Sequence, residues 1–149
     1  MSLLKQLQTD MISAMKNRDK ETLGVVRMLK AAVQNAQIKA GHDLSSDEEI
    51  AVMAHEYKQR KESLAEFKKA NRQDLVDKTK QEMAIVEKYM PKQLSADDIK
   101  KVVAETVQSV GATGMKDFGK VMGAVMGKVK GQADGKVVNQ TVKETLSNL

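Results

Sequence analysis

No cysteine occurs in the 149 residues. That absence removes disulfides, thiolate metal sites and cysteine nucleophiles together, and it fits a reducing compartment, so a cytoplasmic location is expected. Tryptophan is also missing, and only Tyr57, Phe67, Tyr89 and Phe118 are aromatic. Proline occurs once, at Pro91, and glycine nine times, too little punctuation for many short strands. No apolar run approaches the roughly 18 residues that would cross a bilayer. The opening Met1-Ser2-Leu3-Leu4-Lys5-Gln6 lacks a basic region followed by an apolar one, so no export signal is expected.

What is present is aliphatic and charged. Hydrophobic residues make up 41% and charged residues 30%, and ten of the residues are methionine. A core of Leu, Val, Ile, Met and Ala suits helix packing better than a pleated sheet, so an all-α fold is predicted. The net charge of +5 permits an anionic partner without requiring one.

Apolar residues recur three and four apart through most of the chain. Leu3, Leu4, Leu7, Met11 and Met15 predict a first helix ending near Asn17. A second, from Lys20 to Ala40, places Val25, Val26, Leu29 and Val33 on one face, and Gly41 suits a left-handed C-cap. Ser46 and Glu49 read as a capping box for a third helix running to about Ala70. Its outer face, with Lys58, Arg60, Lys61, Glu62 and Lys68, reads as solvated. Asn71 suits a left-handed turn, and Asp74 is the predicted cap of a fourth helix carrying Val76, Met83 and Val86.

Pro91 ends that helix and marks the predicted boundary between an N-terminal domain, 1–91, and a C-terminal domain, 92–149. Beyond it Ser95 and Asp98 repeat the capping pattern, and Ile99, Val103 and Val107 line a fifth helix that stops at Gly111. A sixth helix is predicted from Met115 to Lys130, closed by Gly131. Asp134 caps a last one carrying Val138, Val142 and Leu146.

The sixth helix is the unusual one. Phe118, Val121, Met122, Val125, Met126 and Val129 form an apolar stripe. Opposite it lie Gly119, Gly123 and Gly127, four apart, with Lys116, Lys120, Lys128 and Lys130 beside them. An interior glycine costs about 0.5–1 kcal/mol relative to alanine, so three on one face forgo roughly 2–3 kcal/mol of helix stability. A face without side chains admits another backbone closely. A neighbouring helix would want apolar flanks, whereas a phosphodiester backbone would want lysines. The glycines could also sit where the helix crosses a tight interface.

No catalytic constellation is visible. His42 and His55 stand apart from any metal-spaced partners, and neither a nucleophile elbow nor a phosphate-binding loop occurs. No cofactor and no metal are expected.

Four segments carry a resemblance: Ala70-Asn71-Arg72-Gln73-Asp74-Leu75, Tyr89-Met90-Pro91-Lys92-Gln93-Leu94-Ser95, Asp117-Phe118-Gly119-Lys120-Val121-Met122-Gly123, and the stretch from Gly131 to Asn139. In order and over essentially the whole chain, they resemble the YqeY family, which is similar to the C-terminal helical and tail region of GatB. GatB is a subunit of the glutamine-dependent aspartyl/glutamyl-tRNA amidotransferase. Asn71 stands where the family pattern has glycine and Met90 where it has leucine, both conservative departures.

The resemblance implies a longer N-terminal helical bundle, a compact three-helix C-terminal domain, and kinship with a tRNA-engaging tail. A carbon–nitrogen ligase activity with glutamine as amido donor would be accessory or inherited, because the catalytic domains are absent. The implied function is a non-catalytic tRNA-binding module. Lys116, Lys120, Lys128, Lys130 and Lys136 would contact phosphates. Gly119, Gly123 and Gly127 would allow close approach, and Gln132 and Asn139 would add hydrogen bonds. The alternative is a protein–protein adaptor or accessory subunit of an aminoacyl-tRNA or amidotransferase complex. No membrane partner is implied.

Overall fold

The computed structural model describes residues 2–149, and among them every regular element is helical. The elements are α1 (Leu3–Lys16), α2 (Lys20–Ala40), α3 (Ser46–Lys69), α4 (Gln73–Glu87), α5 (Ala96–Val110), α6 (Phe118–Lys128) and α7 (Gly135–Ser147). A single 3-10 turn, Met115–Asp117, precedes α6. The chain divides into two compact units, one ending at Pro91 and the other spanning Lys92–Leu149.

In the first unit α1 packs on α2 and α3 on α4, and α2 also meets α3 and α4. Its core joins Leu3 and Leu7 of α1, Val25, Val26, Leu29 and Val33 of α2, Met53 of α3, and Ile85 and Val86 of α4. In the second unit each of α5, α6 and α7 packs on the other two. Here the core is built from triplets of buried residues spaced four apart: Ile99, Val103 and Val107 on α5; Val121 and Val125 on α6 with Val129 just past its end; Val138, Val142 and Leu146 on α7. Valine is a poor helix former because its branched Cβ restricts χ1, so packing rather than propensity holds this unit in helices.

Local chemistry explains most boundaries. Gly41 and Gly111 end α2 and α5 with φ of 77° and 67°, left-handed conformations that glycine adopts without a Cβ penalty. At the start of α5, Asp98 N–H donates to Ser95 Oγ at 3.1 Å while Ser95 N–H donates to Asp98 Oδ2 at 3.4 Å, a reciprocal cap.

Five sequence expectations need correction. The capping box of α3 is formed by Ser45 and Glu48, one residue earlier than predicted. Glu49, the expected partner of Ser46, instead accepts from the Leu3 N–H at 3.2 Å. Arg72, not Asp74, occupies the N-cap of α4, and Asp74 accepts both guanidinium bonds of Arg72, at 3.1 and 3.0 Å. Helix α4 ends at Glu87, well before Pro91, as Tyr89 and Met90 N–H groups switch to carbonyls three residues back.

Arg60 is buried at 7% exposure rather than solvated, because α4 brings Glu82 to the same side of α3 as Glu56. Helix α6 is shorter at both ends than the predicted span from Met115 to Lys130. At its start Asp117 Oδ2 turns back to accept from the Thr113 N–H at 2.9 Å. At its end Gln132 N–H donates to Val129 O at 2.8 Å, closing a turn in which Gly131 takes φ 70°.

Candidate nucleic-acid interface

Two residues along an α-helix turn through about 200°. The glycines of α6 are offset by two from its buried valines, so Gly119, Gly123 and Gly127 lie opposite Val121 and Val125. All three are exposed, and a Cβ built at any of them would meet nothing within 4 Å. No neighbouring helix within the unit Lys92–Leu149 therefore uses the close approach that glycine allows. A tight crossing inside this unit does not account for them.

The predicted lysines do not form one array. Lys120 and Lys128 belong to α6, and both reach sideways to α5. Lys120 Nζ donates to Val110 O at 3.2 Å, in the last turn of α5, where unsatisfied carbonyls favour a cation. Lys128 Nζ donates to Thr106 Oγ1 at 3.0 Å, and that buried hydroxyl in turn donates to Val102 O at 2.7 Å. The two ammonium groups thus form a border along the α5 side of the bare stripe. Lys116 is exposed but sits in the 3-10 turn, and Lys130 is exposed in the turn beyond α6.

The remaining predicted residues follow α6. The backbone of Gln132 is committed to packing, its carbonyl accepting from Leu94 N–H at 2.8 Å. Lys136 is exposed in the first turn of α7, where its N–H donates to the capping Asp134 at 3.0 Å. Asp134 therefore occupies this helix start. Asn139 is half-buried one turn further on.

Two features near the stripe escaped the sequence reading. Lys143 of α7 lies 5.9 Å from the Phe118 ring centroid, adding a cation that no spacing rule pairs with α6. Asp117 is held below the usual carboxylate range, first by the Thr113 backbone N–H and then by Lys116 and Lys120. It puts a negative charge at the start of the stripe.

The unit spanning Lys92–Leu149 carries nine lysines, six acidic residues and no arginine. Lysine is a strongly hydrated point charge, while arginine's fork suits bidentate reading of base edges. Phe118, its one aromatic residue, packs against the core. The cations of this unit are therefore all point charges, and its single aromatic ring is not free to stack on a base. Among the described residues no group of three or more His, Asp or Glu side chains could hold a metal ion, and no helix is long and apolar enough to cross a membrane.

Fold and surface together define a class: a protein whose described residues form only helices and bear a bare, lysine-bordered helix face. Within that class the chain belongs to the YqeY family, since the model described as Yqey-like protein matches residues 4–146. The chain is also similar to the altered inheritance of mitochondria protein 41, mitochondrial, of Pyrenophora tritici-repentis (strain Pt-1C-BFP). They are 28% identical over 88 residues, 58% of this chain and 48% of that relative. The match thus spans about half the relative's length.

Proposed function

We propose that this member of the YqeY family is a non-catalytic tRNA-binding module that lays the bare face of α6 against a phosphodiester backbone. One observation carries the reading: the three exposed glycines of α6 face open space, so nothing in the packing of their own unit calls for them. The lysine-only cation set supports contact with backbone rather than bases. In this reading residues 92–149 form the binding domain, and residues 1–91 form a separate helical domain. Lys116, Lys120 and Lys128 meet phosphates, the last two by exchanging their α5 acceptors for phosphate oxygens. Lys130, Lys136, Gln132 and Asn139 extend the contact beyond the stripe. The setting is cytoplasmic, and any part in amidation is accessory.

A second reading is a protein–protein adaptor for an aminoacyl-tRNA synthetase or amidotransferase. It is favoured by half-buried Met122 and Met126, adaptable side chains on the stripe's other flank. Salt separates the two. A tRNA gel shift over a salt series should show affinity falling with a log–log slope of about −2 to −3 for three neutralised phosphates. Changing Lys116, Lys120 and Lys128 together to Glu should abolish the shift. Undiminished binding by the triple variant would overturn the site, and no shift by the intact chain at low salt would overturn the tRNA reading.

A further inference from the structure

The least satisfied buried group in the described chain is the guanidinium of Arg60. Its Nη1 is well served, donating to Glu56 O and Glu56 Oε2, both at 3.0 Å. Its Nε has no hydrogen-bond partner, the Glu82 carboxylate remaining 4.0 Å away. Its Nη2 meets only the thioether of Met28, with sulfur at 4.0 Å. A thioether is a weak acceptor, and a buried donor left short of acceptors is a cost that calls for an explanation.

Met28 is placed to change that. It projects from α2 over Arg60 of α3, it is 54% exposed, and it lies outside the core cluster of its unit. Oxidising a core methionine such as Met53 would force a polar oxygen among apolar neighbours, but oxidising Met28 would not. The chain has no cysteine, so methionine is its only oxidisable sulfur.

We propose that Met28 is a peroxide-responsive site, whose sulfoxide gives Nη2 of the buried Arg60 a strong acceptor in place of the weak thioether and so ties α2 to α3. In the step, the sulfur lone pair attacks one oxygen of hydrogen peroxide. An S–O bond forms, the O–O bond breaks, sulfur loses two electrons, and the remaining oxygen leaves as water after proton transfer. The new oxygen points at Nη2, replacing a sulfur contact with a charge-assisted hydrogen bond. Met15 and Met115, 51% and 47% exposed, are comparably accessible to peroxide but have no buried cation beneath them. Their sulfoxides confer no such link.

The test uses the full chain with Met15→Leu and Met115→Leu, with and without Met28→Leu. Each is treated with hydrogen peroxide, mapped by peptide mass spectrometry, and followed by amide hydrogen exchange. Oxidation with Met28 present should slow exchange in the α2 and α3 turns around Met28 and Arg60 about five-fold or more. The slowing should vanish with Met28→Leu and with Arg60→Lys, and methionine sulfoxide reductases should reverse it. Exchange that is unchanged or faster on Met28 oxidation, equal slowing with Met28→Leu, or a Met28 that resists peroxide would each overturn the proposal.

Discussion

At the scale of single residues, Gly123 separates stability from binding. Its Cβ position is open, so alanine there gains helix propensity without a clash. Gly123→Ala should stabilise the chain by about 0.5–1 kcal/mol in denaturant unfolding. If the bare face meets a phosphate backbone, the same change should weaken tRNA binding. Lost stability would mean that the glycine is required by the fold. Tyr57 offers a second test. Burial, and then the hydrogen bond it donates to Glu87 at 2.8 Å, push its hydroxyl up to about 12. Its folded-state pKa is raised, so the stability it lends is present below the ordinary value of 10.0 and is lost as pH rises through about 12. Ultraviolet titration of the folded chain should show Tyr57 ionising well after an unfolded control. Arg60 shows where residue-level reading fails. A charge between charged neighbours reads as solvated, and only α4, folding back across more than twenty residues, shows that it is buried.

At the scale of elements, the apolar spacing was a sound guide and the ends were not. The stripes of α2, α5 and α7 stand as predicted, because a 3.6-residue period is written directly into the chain. The caps of α5 and α7 were legible for the same reason, each having one suitable residue. The start of α3 was not. Ser45 and Ser46 each have a glutamate three residues on, and the Leu3 N–H, 46 residues away, engages Glu49. Ser45→Ala should therefore cost about 1 kcal/mol in thermal or denaturant unfolding, and Ser46→Ala a few tenths at most. Equal costs would contradict the observed cap. The glycine stripe of α6 was legible too, but the sideways reach of its lysines was not. It depends on Val110 O and Thr106 Oγ1 of α5, tertiary neighbours that helical spacing does not locate.

For the whole molecule, each compact unit has its own aliphatic cluster. A fragment spanning Lys92–Leu149 should fold alone into a helical, cooperatively melting species by circular dichroism. It should be only marginally stable, since small domains bury a smaller fraction of their surface. A fragment without a cooperative transition would show that its nine clustered aliphatic residues do not suffice.

The four-residue spacing of that cluster also bears on the order of events in folding. An isolated helix forms its first turn only against a steep entropic barrier, and glycine and valine both raise it. Helix α6 holds three glycines and two valines among eleven residues, so it is the element least able to nucleate. Helices α5 and α7, with no interior glycine and capped by Ser95 and Asp134, should form first and template it. The segment that presents the bare face should thus assemble late and open early, and amide exchange should be fastest there within its unit.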